Sequence, residues 1–308
     1  MTRRDLACVL LASTLLLAMP LPGAGQESAS GPRTPWGHPD LQGAWTNTTT
    51  TPLERPDDLE GREFLTQEEW AERNPGSGIS AYDAGAYNDY WLEKGELSMR
   101  TSLLVDPPDG KLPPLVAAEE ERLNARREAA ADGAGPASWH DFNAYDRCIT
   151  RGLPGAMMPG FYNHNYHIVQ TPNHVAILVE MVHEARIVPL DGTPHVSGVR
   201  QWLGDSRGRW EGDTLVVETT NFAGKVTARG LTAFSGGERL TVVERFTRVD
   251  DDTIDYRVTV TDPDIWSAPW TVSMPMTAME GVLYEYACHE GNYAMGNMLA
   301  GARVEEGR

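Results

Sequence analysis

The chain is poor in cysteine and carries none of the short motifs that usually mark a metal or nucleotide site. It has 3 cysteines in 308 residues. Neither Cys-x-x-Cys nor His-Glu-x-x-His occurs, and there is no glycine-rich phosphate loop or dinucleotide-binding fingerprint. We therefore predict no organic cofactor. A divalent metal stays open, because histidines and carboxylates cluster elsewhere in the chain.

Cationic side chains are also scarce. Lys and Arg number 26 against 44 Asp and Glu, which gives a formal net charge of −18. A field of this sign repels phosphate backbones and anionic membrane surfaces. Nucleic acid is therefore excluded as an expected partner, and a small-molecule ligand or substrate is favoured.

Only one long apolar run is present, and it lies at the start of the chain. Arg3 and Arg4 precede an apolar stretch from Leu6 to Leu21, and small residues follow it. This pattern predicts a signal peptide over residues 1–25 and a periplasmic or secreted protein. An N-terminal anchor is the alternative, but the run is short for a bilayer span. We expect no membrane span after cleavage.

Removal of this segment would leave two cysteines, Cys148 and Cys288. In an exported protein, two cysteines most simply form one disulfide, and two free thiols are the alternative.

The remaining pattern is mainly that of β-strands. Val, Thr and aromatic residues alternate with polar ones between turns rich in Gly and Asp, which predicts half-buried antiparallel strands. The most regular region, 204–262, indicates an up-and-down meander. The predicted strands cover Leu97–Val105, Tyr162–Thr171, His174–Leu190, Val199–Leu203, Arg209–Phe222, Arg239–Val249, Thr253–Thr261, Trp266–Met276 and Leu283–Cys288.

About eight of these strands follow residue 160, which suits a lipocalin-like antiparallel barrel or a sandwich. We therefore predict a mainly β fold, with a barrel-like domain over 161–308 and a helix and loop extension over 26–160. Within the extension, a capping box at Thr66 predicts a helix to Arg73, and a charged segment predicts another over 114–131.

Four stretches resemble a widespread family of exported bacterial proteins: DPPDGKLPPL, QWLGDSRGRWEGDTLVVETTNF, VERFTRVDDDTI and YEYACHEGNY. The resemblance covers most of the mature chain. It implies that Cys148 and Cys288 recur as a pair, and it implies no particular activity or catalytic residue. The Gly-x-Trp-x-Gly-Asp-x-Leu rhythm around Trp210 is similar to that of lipocalin-like and fatty-acid-binding barrels.

Histidines and carboxylates supply the candidate catalytic residues. On a regular strand over His174–Leu190, Glu180, Glu184 and Arg186 would share one face. A desolvated carboxylate there would have a raised pKa suited to proton transfer, with Arg186 as its charge partner. An outward-facing charged row is the alternative. The candidate catalytic residues are His167, His183, Glu180, His289 and Arg186.

Aromatic residues on or beside the strands are candidates for substrate binding, because flat rings stack well on sugars and apolar ligands. Filling of the core is the alternative explanation for them. The candidates are Tyr166, Trp266, Trp270 and Tyr286.

The leading functional hypothesis is an exported enzyme that acts on a small organic or sugar-like substrate by His and carboxylate acid–base chemistry, as a lyase, isomerase or hydrolase without a covalent nucleophile. Two alternatives remain. One is a non-catalytic periplasmic binding protein for an apolar or aromatic ligand, and the other is an envelope-assembly protein without a small-molecule site.

Overall fold

A computed structural model describes residues 31–74, 93, 95–131, 135–160, 162–224 and 237–307. The predicted signal peptide over 1–25 lies outside these residues. The strands are β1 (Gly43–Thr46), β2 (Leu104–Asp106), β3 (Asn165–Gln170), β4 (His174–Val179), β5 (Glu184–Pro189), β6 (Asp205–Glu211), β7 (Thr214–Thr220), β8 (Thr241–Arg248), β9 (Thr253–Thr261) and β10 (Trp270–Ala278).

These strands form one antiparallel sheet in the order β5-β4-β3-β1-β10-β9-β8-β7-β6, and β2 also pairs with β10. The two ends of the order, β5 and β6, lie against each other, so the sheet is a nearly closed barrel. The prediction of a mainly β, barrel-like fold is confirmed. The meander predicted over 204–262 corresponds to β6 to β9, and β10 continues it.

Alternation of side chains explains why these segments are strands. Every second residue of β8 is buried, and β9 shows the same pattern. The buried positions fill the barrel with large side chains, including Trp45, Tyr166, Trp270, Phe246 and Tyr256. The interior is therefore a packed core with a few charged groups set into it.

Three α-helices lie within the described residues: α1 (Gln67–Arg73), α2 (Ala117–Ala131) and α3 (Ala294–Glu306). Thr66 caps α1 in the predicted capping box with Glu69. In the part of the chain that the structure describes, no helix has the length and apolar character needed to cross a bilayer.

The predicted single strand over His174–Leu190 is wrong, because the chain turns back in its middle. Met181–His183 form one 3-10 turn between β4 and β5, and Val182 and His183 have φ of 61° and 46°. This turn places Glu180 outside both strands. Only Glu184 and Arg186 share a buried strand face, so the predicted row of three charged side chains does not form.

Other predicted strands also differ. Leu97–Val105 is reduced to β2, and Val199–Leu203 and Leu283–Cys288 are not strands. The segment 26–160, expected as helix and loop, also contributes β1 and β2 to the sheet. The single range predicted from Arg209 to Phe222 holds the last three residues of β6 and all of β7, with a turn at Gly212 and Asp213.

Cys148 and Cys288 form a disulfide, with 5.6 Å between their Cα atoms. It joins the coil before β3 to the coil between β10 and α3. The disulfide predicted from the cysteine count is therefore present, and the alternative of two free thiols is not.

Candidate functional site

A cleft of about 1520 Å³ opens at one end of the barrel. Strand register explains its position, because Thr46 of β1 pairs with both Asn165 at the start of β3 and Thr277 near the end of β10. Glu180 follows the end of β4 at the same edge. Two coil segments, 95–98 and 282–288, complete the walls together with Glu93.

The centre of the cleft is a pair of carboxylates bridged by an amide. Asn165 Nδ2 donates to Glu93 Oε1 at 2.8 Å and to Glu180 Oε2 at 2.7 Å. The two bonded oxygens therefore lie within about 5.5 Å of each other. Glu93 also accepts hydrogen bonds from the Asn163 backbone N–H and the Thr48 hydroxyl. At the mouth of the barrel, Glu93 thus connects its own segment to the segment that contains Thr48 and to residues 163–165.

One wall of the cleft is the C-terminal coil 282–288, and several attachments hold it. The Tyr284 backbone N–H donates to Glu180 Oε1 at 2.8 Å, and His183 Nδ1 donates to the Tyr286 carbonyl oxygen at 2.7 Å. The disulfide fixes the end of the coil to Cys148. The left-handed backbone of Val182 and His183 thus positions a turn that fastens this wall.

Tyrosine hydroxyls form a cluster beneath this wall. The Tyr145 hydroxyl lies 3.3 Å from that of Tyr162 and 3.4 Å from that of Tyr286. Arg151 covers the Tyr145 ring, with its guanidinium carbon 5.1 Å from the ring centroid. Burial raises the pKa of Tyr145, which keeps its hydroxyl protonated and available as a donor.

Arg151 also interacts with a buried histidine. Its Nη1 lies 2.5 Å from His164 Nε2, and His164 Nδ1 lies 2.6 Å from the Tyr162 carbonyl oxygen. Burial, and then the charge of Arg151, lower the pKa of His164 to about 3. The imidazole is therefore neutral, with Nε2 accepting from Arg151 and Nδ1 donating to Tyr162, and it helps to hold the backbone beside the cleft.

Charged groups also lie inside the barrel, one layer behind the cleft. Arg186 donates to both oxygens of Glu244, at 2.6 and 2.9 Å, and the Tyr256 hydroxyl donates to Glu244 Oε1 at 2.8 Å. Burial and the Glu244 charge raise the pKa of Tyr256, so its hydroxyl remains a donor. This network pairs the two charges directly, although Arg186 Nε has no hydrogen-bond partner among the described residues.

Glu184 lies beside this network, and burial raises its pKa to about 7. The Thr150 hydroxyl and the Arg151 backbone N–H act against the shift, although no donor among the described residues reaches standard hydrogen-bond geometry with either carboxyl oxygen. The protonated form of Glu184 is therefore favoured in the folded protein up to neutral pH.

We expect Glu184→Gln to change how stability depends on pH. The pKa of this carboxyl is 4.5 in the unfolded chain and about 7 in the folded protein. Wild-type stability therefore falls as pH rises between these two pKa values, and it is constant at higher pH. The free energy of unfolding of the variant, relative to that of wild type, should therefore rise by on the order of 3 kcal/mol between about pH 4 and pH 8. Urea unfolding at both pH values measures this, and a pH-independent difference would contradict the shift.

The structure does not bring the predicted catalytic residues together. Glu180 lines the cleft, and His183 touches only its wall. His167 is exposed on the outer face of β3, and His289 is exposed beyond the disulfide. Arg186 lies in the barrel interior with Glu244, so its predicted pairing with Glu180 or Glu184 is replaced by another partner.

The predicted aromatic binders are likewise divided. Tyr286 lines the cleft. Tyr166 and Trp270 are fully buried, and Tyr166 donates its hydroxyl to Asn47. Trp266 packs edge-on against Trp270, with 6.3 Å between ring centroids. Core packing therefore accounts for these three.

No group of three or more His, Cys, Asp or Glu side chains within the described ranges is arranged to hold a metal ion. Sequence reasoning missed Glu93 and Asn165 in the cleft and Glu244 in the interior. Asn165 lies between His164 and His167, two residues before the candidate His167. Nothing local to Glu93 signals its role, because its hydrogen-bond partners at Asn163 and Asn165 are 70 or more residues away.

Comparison with known proteins gives no direct assignment. No family model matches the chain, no curated protein matches it, and no solved structure matches it. The resemblance to exported bacterial proteins therefore stays a prediction, and functional inference depends on the geometry of the cleft.

Proposed function

We propose that this protein is an exported binding protein for a small, hydroxyl-rich, sugar-like molecule, which it holds in the cleft at the barrel mouth. The observation that supports this proposal is the combination of chemical groups that line the cleft. Four carboxylates face the cleft, with amides, hydroxyls and tyrosine rings between them, and no Lys, Arg or His is among its described lining residues. The carboxylates are Glu93, Glu96, Glu180 and Glu285.

The lining chemistry selects against anions and for hydrogen-bond donors. Carboxylates accept hydrogen bonds, so sugar hydroxyls are suitable partners, whereas phosphate or carboxylate groups would be repelled. The bridged pair of Glu93 and Glu180 is fixed before a ligand arrives, which reduces the entropy lost on binding. Tyr284 is 75% exposed, so its ring is free to stack on a sugar face.

Export is the second part of the proposal. The disulfide between Cys148 and Cys288 supports it, because such bonds persist in oxidising compartments and are rare in the cytosol. Cell fractionation of the full chain, with N-terminal sequencing of the product, tests it. Recovery of a periplasmic or secreted form that begins near residue 26 is expected, and an uncleaved cytoplasmic chain would contradict export.

Acid–base catalysis on the bound ligand is the second candidate function, and Glu184 is the observation that favours it. Its pKa of about 7 suits proton transfer. Glu184 on β5 pairs with Val179 at the end of β4, and Val179 is the residue before Glu180. Glu184 does not line the cleft. Binding therefore has the stronger support, and analysis of the ligand after incubation would reveal any turnover.

Replacing Tyr284 with Ala is expected to weaken sugar binding roughly threefold to tenfold, because the stacking surface is lost. Tyr293→Ala is the matched control, since Tyr293 is 77% exposed and lies outside the cleft. Calorimetric titration with neutral disaccharides such as cellobiose and maltose, beside glucuronate and glucose 6-phosphate, measures the effect.

Neutral sugars should bind and the two anionic compounds should not. Preferential binding of the anions, or equal losses in the two tyrosine variants, would overturn the assignment of the cleft.

A further inference from the structure

A second, smaller cavity of about 280 Å³ lies across the disulfide from the cleft. Its walls come from the coil before β3 and from the start of α3, and Cys148 itself forms part of the lining. The groups that matter for binding are Trp139, Arg147, Ile149, His289, Asn292 and Met295.

The cavity contains a cation, Arg147, for which no carboxylate partner is found among the described residues. The Arg147 guanidinium carbon lies 5.2 Å from the centroid of the Trp139 ring. Among the described residues no salt bridge involves Arg147, and its Nε is buried without a hydrogen-bond partner. Asp146 also lines the cavity, and its carboxylate is already engaged, since it accepts a hydrogen bond from Asn143 Nδ2 at 2.8 Å. A buried guanidinium nitrogen without an acceptor has a strong demand for an anionic ligand.

The walls of the cavity are held in place before any ligand arrives. Ser138 and Asp141 form a capping box around the short 3-10 helix Trp139–Asp141, which fixes the backbone that carries the indole. The His140 ring stacks on one face of this indole, with 3.5 Å between ring centroids. The disulfide fixes the backbone after Arg147, and Asn292 Nδ2 donates to the Cys288 carbonyl oxygen at 3.2 Å. Fixed walls favour affinity because little entropy is lost on binding.

We propose that this cavity is a binding site for a small carboxylate that carries a flat aromatic ring. The carboxylate would accept hydrogen bonds from Arg147 in a paired, fork-like arrangement and from the His289 imidazole. The ring would pack against Trp139, Ile149 and Met295. No established or proposed activity of the cleft requires this site, so it is a second and chemically different one.

The two sites have opposite selectivity. The cleft is lined by carboxylates and repels anions, whereas the small cavity presents a guanidinium and an aromatic wall. Asn292 lines both, and Cys148 and Cys288 separate them. A sugar and an aromatic acid would therefore bind without competing.

Calorimetric titration of the full chain with benzoate tests the proposal, with benzyl alcohol as a probe that keeps the ring and removes the charge. Benzoate should bind and benzyl alcohol should bind at least about tenfold more weakly, as expected for a charge-assisted hydrogen bond. Added salt should weaken benzoate binding, because the cavity is partly open to solvent.

Arg147→Gln should weaken benzoate binding by about tenfold or more, and Arg147→Lys by less, because lysine keeps the charge and loses the planar fork. Arg257→Gln is the matched control: Arg257 is an exposed arginine paired with Asp255 on β9, far from the cavity in the sheet. Thermal melting shows whether each variant is folded.

Equal binding of benzoate and benzyl alcohol would overturn the proposal. So would unchanged benzoate binding in folded Arg147→Gln, equal losses in the Arg147→Gln and Arg257→Gln variants, or no benzoate binding up to about 10 mM. Independent binding of benzoate in the presence of a cleft ligand would support two separate sites.

Discussion

Replacing Glu244 with Gln is expected to lower the free energy of unfolding by about 3–5 kcal/mol, because it leaves the Arg186 charge buried without a counter-charge. The Glu244 side chain is 0% exposed and that of Arg186 is 3% exposed, so water cannot replace the lost carboxylate. The Tyr256 hydroxyl would also lose a charged acceptor. Urea unfolding followed by circular dichroism measures the change.

Two further variants separate charge burial from side-chain loss. The double variant Arg186→Met with Glu244→Leu removes both charges, and it should recover much of the lost stability. Glu211→Gln is the surface control, because Glu211 pairs with Arg209 and Arg245 in solvent and should have little effect. A double variant as unstable as Glu244→Gln would show that the pair itself, rather than the uncompensated charge, holds the barrel together.

Regular alternation made part of the fold predictable from the sequence. The predicted strand Thr253–Thr261 has the same bounds as β9, because both of its ends carry turn residues and every second side chain is buried. The hairpin of β4 and β5 was not predictable in this way. Its turn places Val182 and His183 in the left-handed region, and a β-branched residue such as Val rarely adopts that backbone conformation.

The site was less predictable because it is assembled from distant segments. Glu93 and Glu180 meet only through Asn165, and the turn at Glu180 also holds the C-terminal coil. Charge pairing was equally non-local: Arg186 on β5 pairs with Glu244 on β8, across the barrel interior. The spacing of these residues along the chain predicts neither pairing, because each pairing depends on how the sheet curves.

The second large effect is expected at the disulfide, where replacing Cys148 and Cys288 with Ser should remove both stability and ligand binding. The bond closes a loop with a sequence separation of 140 residues. In the chain-entropy model, a loop of this size corresponds to about 5 kcal/mol of stabilisation through the unfolded state. Denaturant unfolding of the double variant and of the reduced wild type measures this loss.

Binding should fall further than stability alone requires, because the coil 282–288 is a wall of the cleft and the disulfide is one of its attachments. The hydrogen bonds with Glu180, His183 and Tyr145 would remain, but isolated hydrogen bonds near solvent contribute only about 0.5–1.5 kcal/mol each. Titration with a cleft ligand at low temperature, where the variant is still folded, separates the two effects. Full affinity in a folded variant would show that Glu180 and His183 hold the wall without the disulfide. Weakened binding that returns when the wild-type cysteines are reoxidised would show that the disulfide sets the shape of the cleft.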